Sequence, residues 1–269
     1  VAGLRGGLTM ETIFATDAGD SGVNEDSVVA GADFAVVLDG ATAEPDTDTG
    51  CVHGVRWFAR QLTGALARRL ALDASAARPL ADVLHDALDA VGRSHADTCD
   101  LTNLCSPSAT AAILRHRDRH ADYLVLGDSP IVLEADDGTV STVADDRLAR
   151  YTGTWADMRH SRNVPGGFWV AGNNPAAAGH ALVGTVPVAG LRRAALLTDG
   201  VTRLVERYDW SWRDLVSALD ETGPAEVISL TRQAERRTPH GRFVGKRHDD
   251  ATAALCRFAG DRGSGVHRD

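Results

Sequence analysis

Four segments place an aspartate beside an apolar run. "ALLTDGVTRL" delivers Asp199, "FAVVLDGAT" delivers Asp39, "YLVLGDSPIVL" delivers Asp128, and "GKRHDDATAALCRF" sets Asp249 and Asp250 ahead of the run. A lone acid at a strand end is ordinarily a turn residue or a helix cap, because its oxygens accept nearby backbone N–H bonds. Four such sites, with Glu25 and Asp26 of "NEDS" beside them, suggest strands that end together and pool their carboxylates. Pooled carboxylates suit hard divalent cations such as Mg²⁺ and Mn²⁺, which take oxygen ligands and often retain waters. Two such ions about 3.5–4 Å apart acidify a bridging water and clamp a phosphate ester. Gly40 and Gly200 follow Asp39 and Asp199 directly. A glycine there lets the backbone approach closely, and its carbonyl can serve as a ligand.

The elements that must position these acids are legible from periodicity. "METIFATDAG" reads as a first strand running into a polar loop, and "SVVAGADFAVVLDG" as two short strands with a turn at Gly31–Asp33. Val52, Val55, Phe58, Leu62, Ala65, Leu66 and Leu70 recur at steps of three and four, the mark of an amphipathic helix. A second helix is expected from about Leu80 to Thr98. The segment from Ser108 to Val143 reads as a meander with turns near Asp118–His120, Asp128–Pro130 and Asp136–Gly138. Residues 145–180 are broken by Gly166–Gly167 and Asn173–Asn174–Pro175. "ALVGTVPV" and "RRAALLT" return to strand character. Helices follow at 200–207, 211–221 and 224–237, and "ATAALCRF" is a last strand. This order fits one layered α+β domain over residues 1–260, with a frayed polar tail at 261–269.

Composition narrows the function. Of the 269 residues, 43% are hydrophobic, enough for a substantial core. The net charge of −9 argues against nucleic acid as a partner, which calls for a basic surface. No apolar run approaches a membrane span, so no membrane association is expected. The first residues carry no apolar core of the kind a secretory signal needs, and the expected location is the cytoplasm. Cys51, Cys99, Cys105 and Cys256 show no C-x-x-C spacing. They are expected to be reduced and mostly buried, and the spacing argues against zinc.

Taken in order, "NED", "VVLDGAT", "SATAAIL", "LVLGDSPIVL", "LLTDGV" and "HDDATAAL" resemble the signatures of the metal-dependent protein phosphatases of type 2C, in their bacterial form. Each motif is weak alone, and the resemblance rests on six in sequence, over roughly residues 12–258. It implies an αββα sandwich of two mainly antiparallel sheets flanked by helices, with a two-metal centre at one end. It implies a hydrolase of phosphate monoesters using Mn²⁺ or Mg²⁺, in which a hydroxide bridging two ions attacks phosphorus. The usual substrates of the family are phosphoserine and phosphothreonine proteins, and a small phosphorylated metabolite is the other candidate.

Carried over residue by residue, Asp39 resembles the ligand shared by both metals and Gly40 the carbonyl ligand. Asp199 and Asp249 would complete the other metal's ligand set, and Asp39 and Asp199 would be the catalytic pair. Glu25 and Asp26 would hold metal-bound waters or ligate directly. Asp128 resembles the acid that holds a weaker third metal in many bacterial members. Asp250 matches a structural neighbour. Many members carry a phosphate-gripping arginine where this chain has Ser21, and others a histidine where it has Ala41. Lys246 and His248, flanking the last acidic pair, are the expected substrate-binding replacements; Arg56 and Arg247 are further options. His53 reads as a surface or helix-start residue rather than a general acid. Two alternatives stand beside the enzyme: a catalytically weak or inactive binding module of the same fold, and an aspartyl-nucleophile phosphatase with a D-x-D motif. Ala41 occupies the second aspartate's place in the latter.

Overall fold

Long apolar runs such as "FAVVL" (34–38) are buried on both faces, and that requires a sheet covered on both sides. The computed structural model describes residues 9–20, 22–42, 46–72 and 78–259, and it supplies that cover with two sheets and two layers of helix. Ser21 and the tail 261–269 lie outside the described residues.

The strands are β1 (Thr9–Asp17), β2 (Ser27–Ala30), β3 (Phe34–Leu38), β4 (Ala111–Arg117), β5 (His120–Leu126), β6 (Ile131–Ala135), β7 (Val140–Val143), β8 (Leu182–Pro187), β9 (Leu191–Leu197) and β10 (Ala251–Ala259). The helices are α1 (Gly54–Leu72), α2 (Leu80–His95), α3 (Trp155–Ser161), α4 (Asp199–Arg207), α5 (Trp212–Thr222) and α6 (Pro224–Arg237). One five-stranded sheet runs β1-β10-β9-β6-β7 and the other β2-β3-β4-β5-β8, with every pairing antiparallel. The first and last described strands thus lie side by side, with Met10 opposite Phe258.

Alternation along the strands sorts the core into three layers. Ala35, Val37, Ala112 and Leu114 of the β2 sheet face Ile131, Ala194, Leu196 and Ala254 of the β1 sheet. Val36, Leu38, Ile113 and Leu124 point the other way, under Phe58, Leu62 and Leu66 of α1 and Leu84 and Leu88 of α2. Val132, Ala195, Leu197 and Leu255 lie beneath Val201, Leu204, Leu215, Leu219 and Val227 of α4, α5 and α6. The result is the αββα sandwich. β1 and β8 are edge strands with mostly open side chains. No helix among the described residues is long and apolar enough to cross a membrane.

One expectation is corrected. The segment from Ser108 to Val143 is not a continuous meander: β4–β5 and β6–β7 are hairpins, but β5 pairs with β8 and β6 with β9, in different sheets. The "GDSP" turn is therefore a crossing between sheets, and local turn chemistry alone does not distinguish a crossing from a hairpin. This crossing aligns the two sheets end to end. β2 begins where β3 finishes, with Ser27 opposite Leu38, and β4 begins where β5 finishes, with Ala111 opposite Leu126. In the other sheet, β9 finishes where β6 and β10 begin, with Leu196 opposite Ile131 and Leu197 opposite Ala253. Antiparallel register thus brings the ends carrying the acids to one edge of the sandwich.

The start of α4 is held against the start of β10 by close backbone approach. A Cβ at Gly200 would sit 2.0 Å from the Asp250 carbonyl oxygen. Gly64, inside α1, has open space around the same position. Opposite effects of one substitution type are expected. Gly64→Ala should stabilise by about 0.5–1 kcal/mol, the helix-propensity gain. Gly200→Ala should destabilise by more than that and lower the melting temperature. A Gly200→Ala protein that melts at or above wild type would contradict this close packing.

Candidate functional site

Asp39 leaves β3 on a backbone clamped by β4. The Thr110 N–H donates to the Asp39 carbonyl at 2.8 Å, and the Asp39 N–H donates to Thr110 Oγ1 at 3.3 Å. Thr110 Oγ1 is itself 2.5 Å from Ser129 Oγ, in the crossing turn that carries Asp128. Asp199 opens α4, where the helix N-terminus favours a carboxylate, and its N–H lies 3.4 Å from Asp39 Oδ2. Asp26 enters from the loop before β2. Its Oδ2 accepts from Thr198 Oγ1 at 2.9 Å, while its buried Oδ1 has no hydrogen-bond partner. Asp250 ties the loops together, accepting from the N–H groups of Gly19 and Glu25 at 2.8 Å each. A Cβ at Gly40 would come within 2.6 Å of the Glu25 carbonyl oxygen, so glycine is what lets the Asp39 and Glu25 loops meet.

Crowding shows in the acidities. Burial, then the charges of Asp26, Asp199, Asp128 and Asp249, holds the Asp39 carboxyl well above the usual range. Burial is also the main cause that pushes Asp26 up to about 7, with Asp250 and Asp199 adding to it and the hydroxyls of Thr252 and Thr198 opposing. The Asp199 side chain is 44% open to solvent. The protein still surrounds it closely enough that desolvation, with Asp249, Asp128 and Glu206, raises it to about 7 against the pull of Arg203. Asp128 is also raised, by desolvation and then by Glu206 and Asp145. These carboxylates share one field.

A layer of cations stands behind them. Arg203, four residues beyond Asp199 on α4, is 2% exposed. It donates to Asp249 Oδ2 and to Glu235 Oε1, each at 2.8 Å. Glu235, on α6, also pairs with Arg232 at 3.1 Å and accepts His248 Nδ1 at 2.6 Å. Arg232 donates to the Asp249 carbonyl at 2.5 Å. Lys246 reaches Asp249 Oδ1 at 2.9 Å and Thr42 Oγ1 at 2.7 Å, and Thr42 in turn donates to Glu25.

The structure therefore brings Asp26, Asp39, Asp128, Asp199 and Asp249 into one cluster, with Gly40 and Glu25 at its margin. Lys246 is at the rim. His248 is turned to Glu235, behind the cluster, and Arg247 donates to the Glu235, Arg236 and Thr238 carbonyls at the end of α6. Sequence reasoning missed Arg203, Glu235, Thr198 and Thr110. The four-residue step from Asp199 to Arg203 along a helix was the one available signal. The residues present fit a divalent cation. Every candidate donor is an oxygen, the acids are short of positive charge, and the orphaned Asp26 Oδ1 is a buried acceptor without a donor.

The cysteines depart from expectation. Cys256 is buried, but Cys51, Cys99 and Cys105 are only partly so. Cys51 and Cys99, distant in sequence, have their sulfurs 3.3 Å apart. Desolvation is the largest single influence at Cys99 and favours the neutral thiol, yet hydrogen bonds involving Thr98, Cys51, the Val52 backbone and His53 together bring it down to about 7.

Solved structures share the fold at low sequence identity. The serine/threonine phosphatase PstP/Ppp of Mycobacterium tuberculosis aligns with a TM-score of 0.62 at 19% identity, over 94% of this chain and 100% of that one. The PstP catalytic domain in complex with two manganese ions aligns at 0.60 and 17% identity, over 94% and 100%. The serine/threonine phosphatase Stp1 of Staphylococcus aureus aligns at 0.61 and 13% identity, over 97% and 99%. No curated protein sequence matches the chain. The sequence profile of the family "Protein phosphatase 2C" matches residues 18–232, most of the chain, including Glu25, Asp26, Asp39, Asp128 and Asp199 but not Asp249. With that match and the shared αββα sandwich, the chain belongs to the protein phosphatase 2C family.

Proposed function

We propose that the protein hydrolyses phosphoserine and phosphothreonine esters of proteins with two divalent ions, Mn²⁺ or Mg²⁺, at the Asp39 cluster. The observation that carries this reading is the convergence of five carboxylates on one end of the sandwich, one of them with a buried, unpartnered oxygen. Asp39 would be a ligand to both ions, with the Gly40 carbonyl, Asp199 and Asp249 as further ligands. Asp26 and Glu25 would hold metal-bound waters or ligate directly. Asp128 would hold a third, weaker ion. Bound ions would supply an acidified water as nucleophile and offset the charge of the phosphate.

The chain's own residues do the rest. Thr110 and Thr198 fix Asp39 and Asp26 by hydrogen bonds to the Asp39 backbone and the Asp26 carboxylate. Arg203 and Arg232 hold Asp249 by its carboxylate and its carbonyl, so that the acid presents a fixed oxygen to the site. Lys246, 40% exposed beside Asp249, is the cation placed to meet a substrate phosphate where relatives carry an arginine. His248, committed to Glu235, keeps that carboxylate in place instead.

Hydrolysis of an aryl phosphate with and without Mn²⁺ tests the reading, with a phosphoserine peptide as the second substrate. Wild type should turn over both only with metal. Asp199→Asn should lose about a hundredfold or more in kcat/KM while keeping its fold. Lys246→Ala should raise KM by about one to two decades, the loss of a charge-assisted hydrogen bond, with the Mn²⁺ requirement unchanged. Full activity in Asp199→Asn would contradict the ligand assignment. An unchanged KM in Lys246→Ala would remove it from substrate binding, and turnover of the small ester alone would remove phosphoproteins as substrates.

Acidity gives a second check. In the unfolded chain these carboxyls ionise near the ordinary aspartate value of about 3.9. In the folded, metal-free protein Asp26 and Asp199 are raised to about 7. The stability they contribute is fully present below the unfolded value and is lost as pH climbs through the folded one. The metal-free melting temperature of wild type, measured relative to Asp199→Asn, should therefore fall between pH 4 and 7, and Mn²⁺ binding near pH 6 should release protons. A difference that stays flat across that window would contradict the crowding described for Asp199.

A further inference from the structure

α1 and α2 form an antiparallel pair over the β2 sheet, so the residue before α1 and the residue after α2 must lie at the same end of the hairpin. That end carries Cys51 and His53 on one side and Cys99 on the other. Cys99 is held in a turn whose N–H donates to the His95 carbonyl at 3.0 Å. The next N–H, of Asp100, donates to the Gly50 carbonyl at 2.8 Å, which laces the two segments together. Asn103 adds a bond to the Asp48 carbonyl at 3.2 Å.

Three donors meet there. The Cys51 and Cys99 sulfurs are 3.3 Å apart, and His53 Nδ1 lies 3.4 Å from Cys99 Sγ and 3.8 Å from Cys51 Sγ. Around zinc, with Zn–S near 2.3 Å and Zn–N near 2.0–2.1 Å, the edges of a tetrahedron are about 3.8 Å between sulfurs and about 3.5 Å between sulfur and nitrogen. The three separations fall within about half an ångström of those edges. The imidazole is oriented from behind: it stacks on Trp57, with ring centres 4.2 Å apart and planes at 24°, and Trp57 packs edge-on against His95 at 5.0 Å.

We propose that Cys51, His53 and Cys99 bind one Zn²⁺, with the fourth position left to solvent. The chemistry of the donors separates this site from the acid cluster. Two sulfurs and an imidazole select a borderline-soft ion, whereas the all-oxygen cluster selects Mg²⁺ or Mn²⁺. Among the described residues, these three form the one group of at least three His, Cys, Asp or Glu ligands whose donor atoms all lie within 4.8 Å of one another. A local C-x-x-C spacing is absent because the site is assembled by the helix hairpin, not by one loop. Bound zinc would pin the segment that leads from the Asp39–Gly40 loop into α1 to the end of α2. Binding displaces protons from both thiols, so affinity should rise with pH.

The test uses the reduced, metal-stripped full chain and Co²⁺ as a spectroscopic stand-in for zinc. Titration should give a sulfur-to-cobalt charge-transfer band in the near ultraviolet and tetrahedral visible bands, saturating at one ion per chain and bleached by Zn²⁺. Both should vanish in Cys51→Ser and in Cys99→Ser, and persist in Cys105→Ser and in Asp199→Asn, which separates this site from the acid cluster. Zn²⁺ should raise the melting temperature of wild type and not of Cys51→Ser, with Mn²⁺-dependent turnover unchanged by that substitution. Reduced protein that gives no thiolate–cobalt band would overturn the proposal. So would a band that survives in the Cys51→Ser/Cys99→Ser double variant.

Discussion

Mutual repulsion among five carboxylates at one end of the sandwich is the constraint around which the rest is arranged. Like charges in a partly desolvated site cannot all ionise without a compensating cation. Asp26, Asp39, Asp128 and Asp199 accordingly hold their protons to higher pH than an ordinary aspartate in the metal-free chain, with desolvation the leading cause in each. The fold gathers them nonetheless, because antiparallel register in both sheets brings several strand ends to one edge. A site of this kind is held together by its scaffold and completed by its ligand.

The scaffold answers the repulsion with a second layer of opposite charge. Arg203 and Arg232 bracket Glu235, and both reach Asp249. An ion network this buried is costly to desolvate and is not by itself a source of stability. Its value here is positional: it fixes one oxygen of Asp249 and leaves the Lys246 side toward the opening. The same logic explains why His248 faces Glu235. Two arginines and a histidine engage both oxygens of Glu235, which therefore ties α4, α6 and the β10 entry loop together.

Much of this was legible in the sequence. The three C-terminal helices are found at 199–207, 212–222 and 224–237, within two residues of where periodicity placed them, because each has an apolar stripe and α5 a capping box at Ser211 and Asp214. The acids themselves stood out as charged residues where apolar runs stop. What could not be read was anything set by which strand pairs with which. The "GDSP" turn looked like a hairpin and is a crossing, since turn residues encode a change of direction and not the neighbour that follows. Helix periodicity does not single out Arg203 or Glu235, and only the packing of α6 across α4 buries them. Cys51 and Cys99 looked unrelated for the same reason, their meeting being a property of the helix hairpin.

The central claim is that the Asp39 cluster is a two-ion centre. An anomalous difference map from crystals grown with Mn²⁺ tests it most directly. The expected result is two peaks bridged by Asp39, one beside the Gly40 carbonyl and the other within ligand distance of Asp199 and Asp249. A map with no peak at Asp39, or with manganese bound only elsewhere on the chain, would contradict the account.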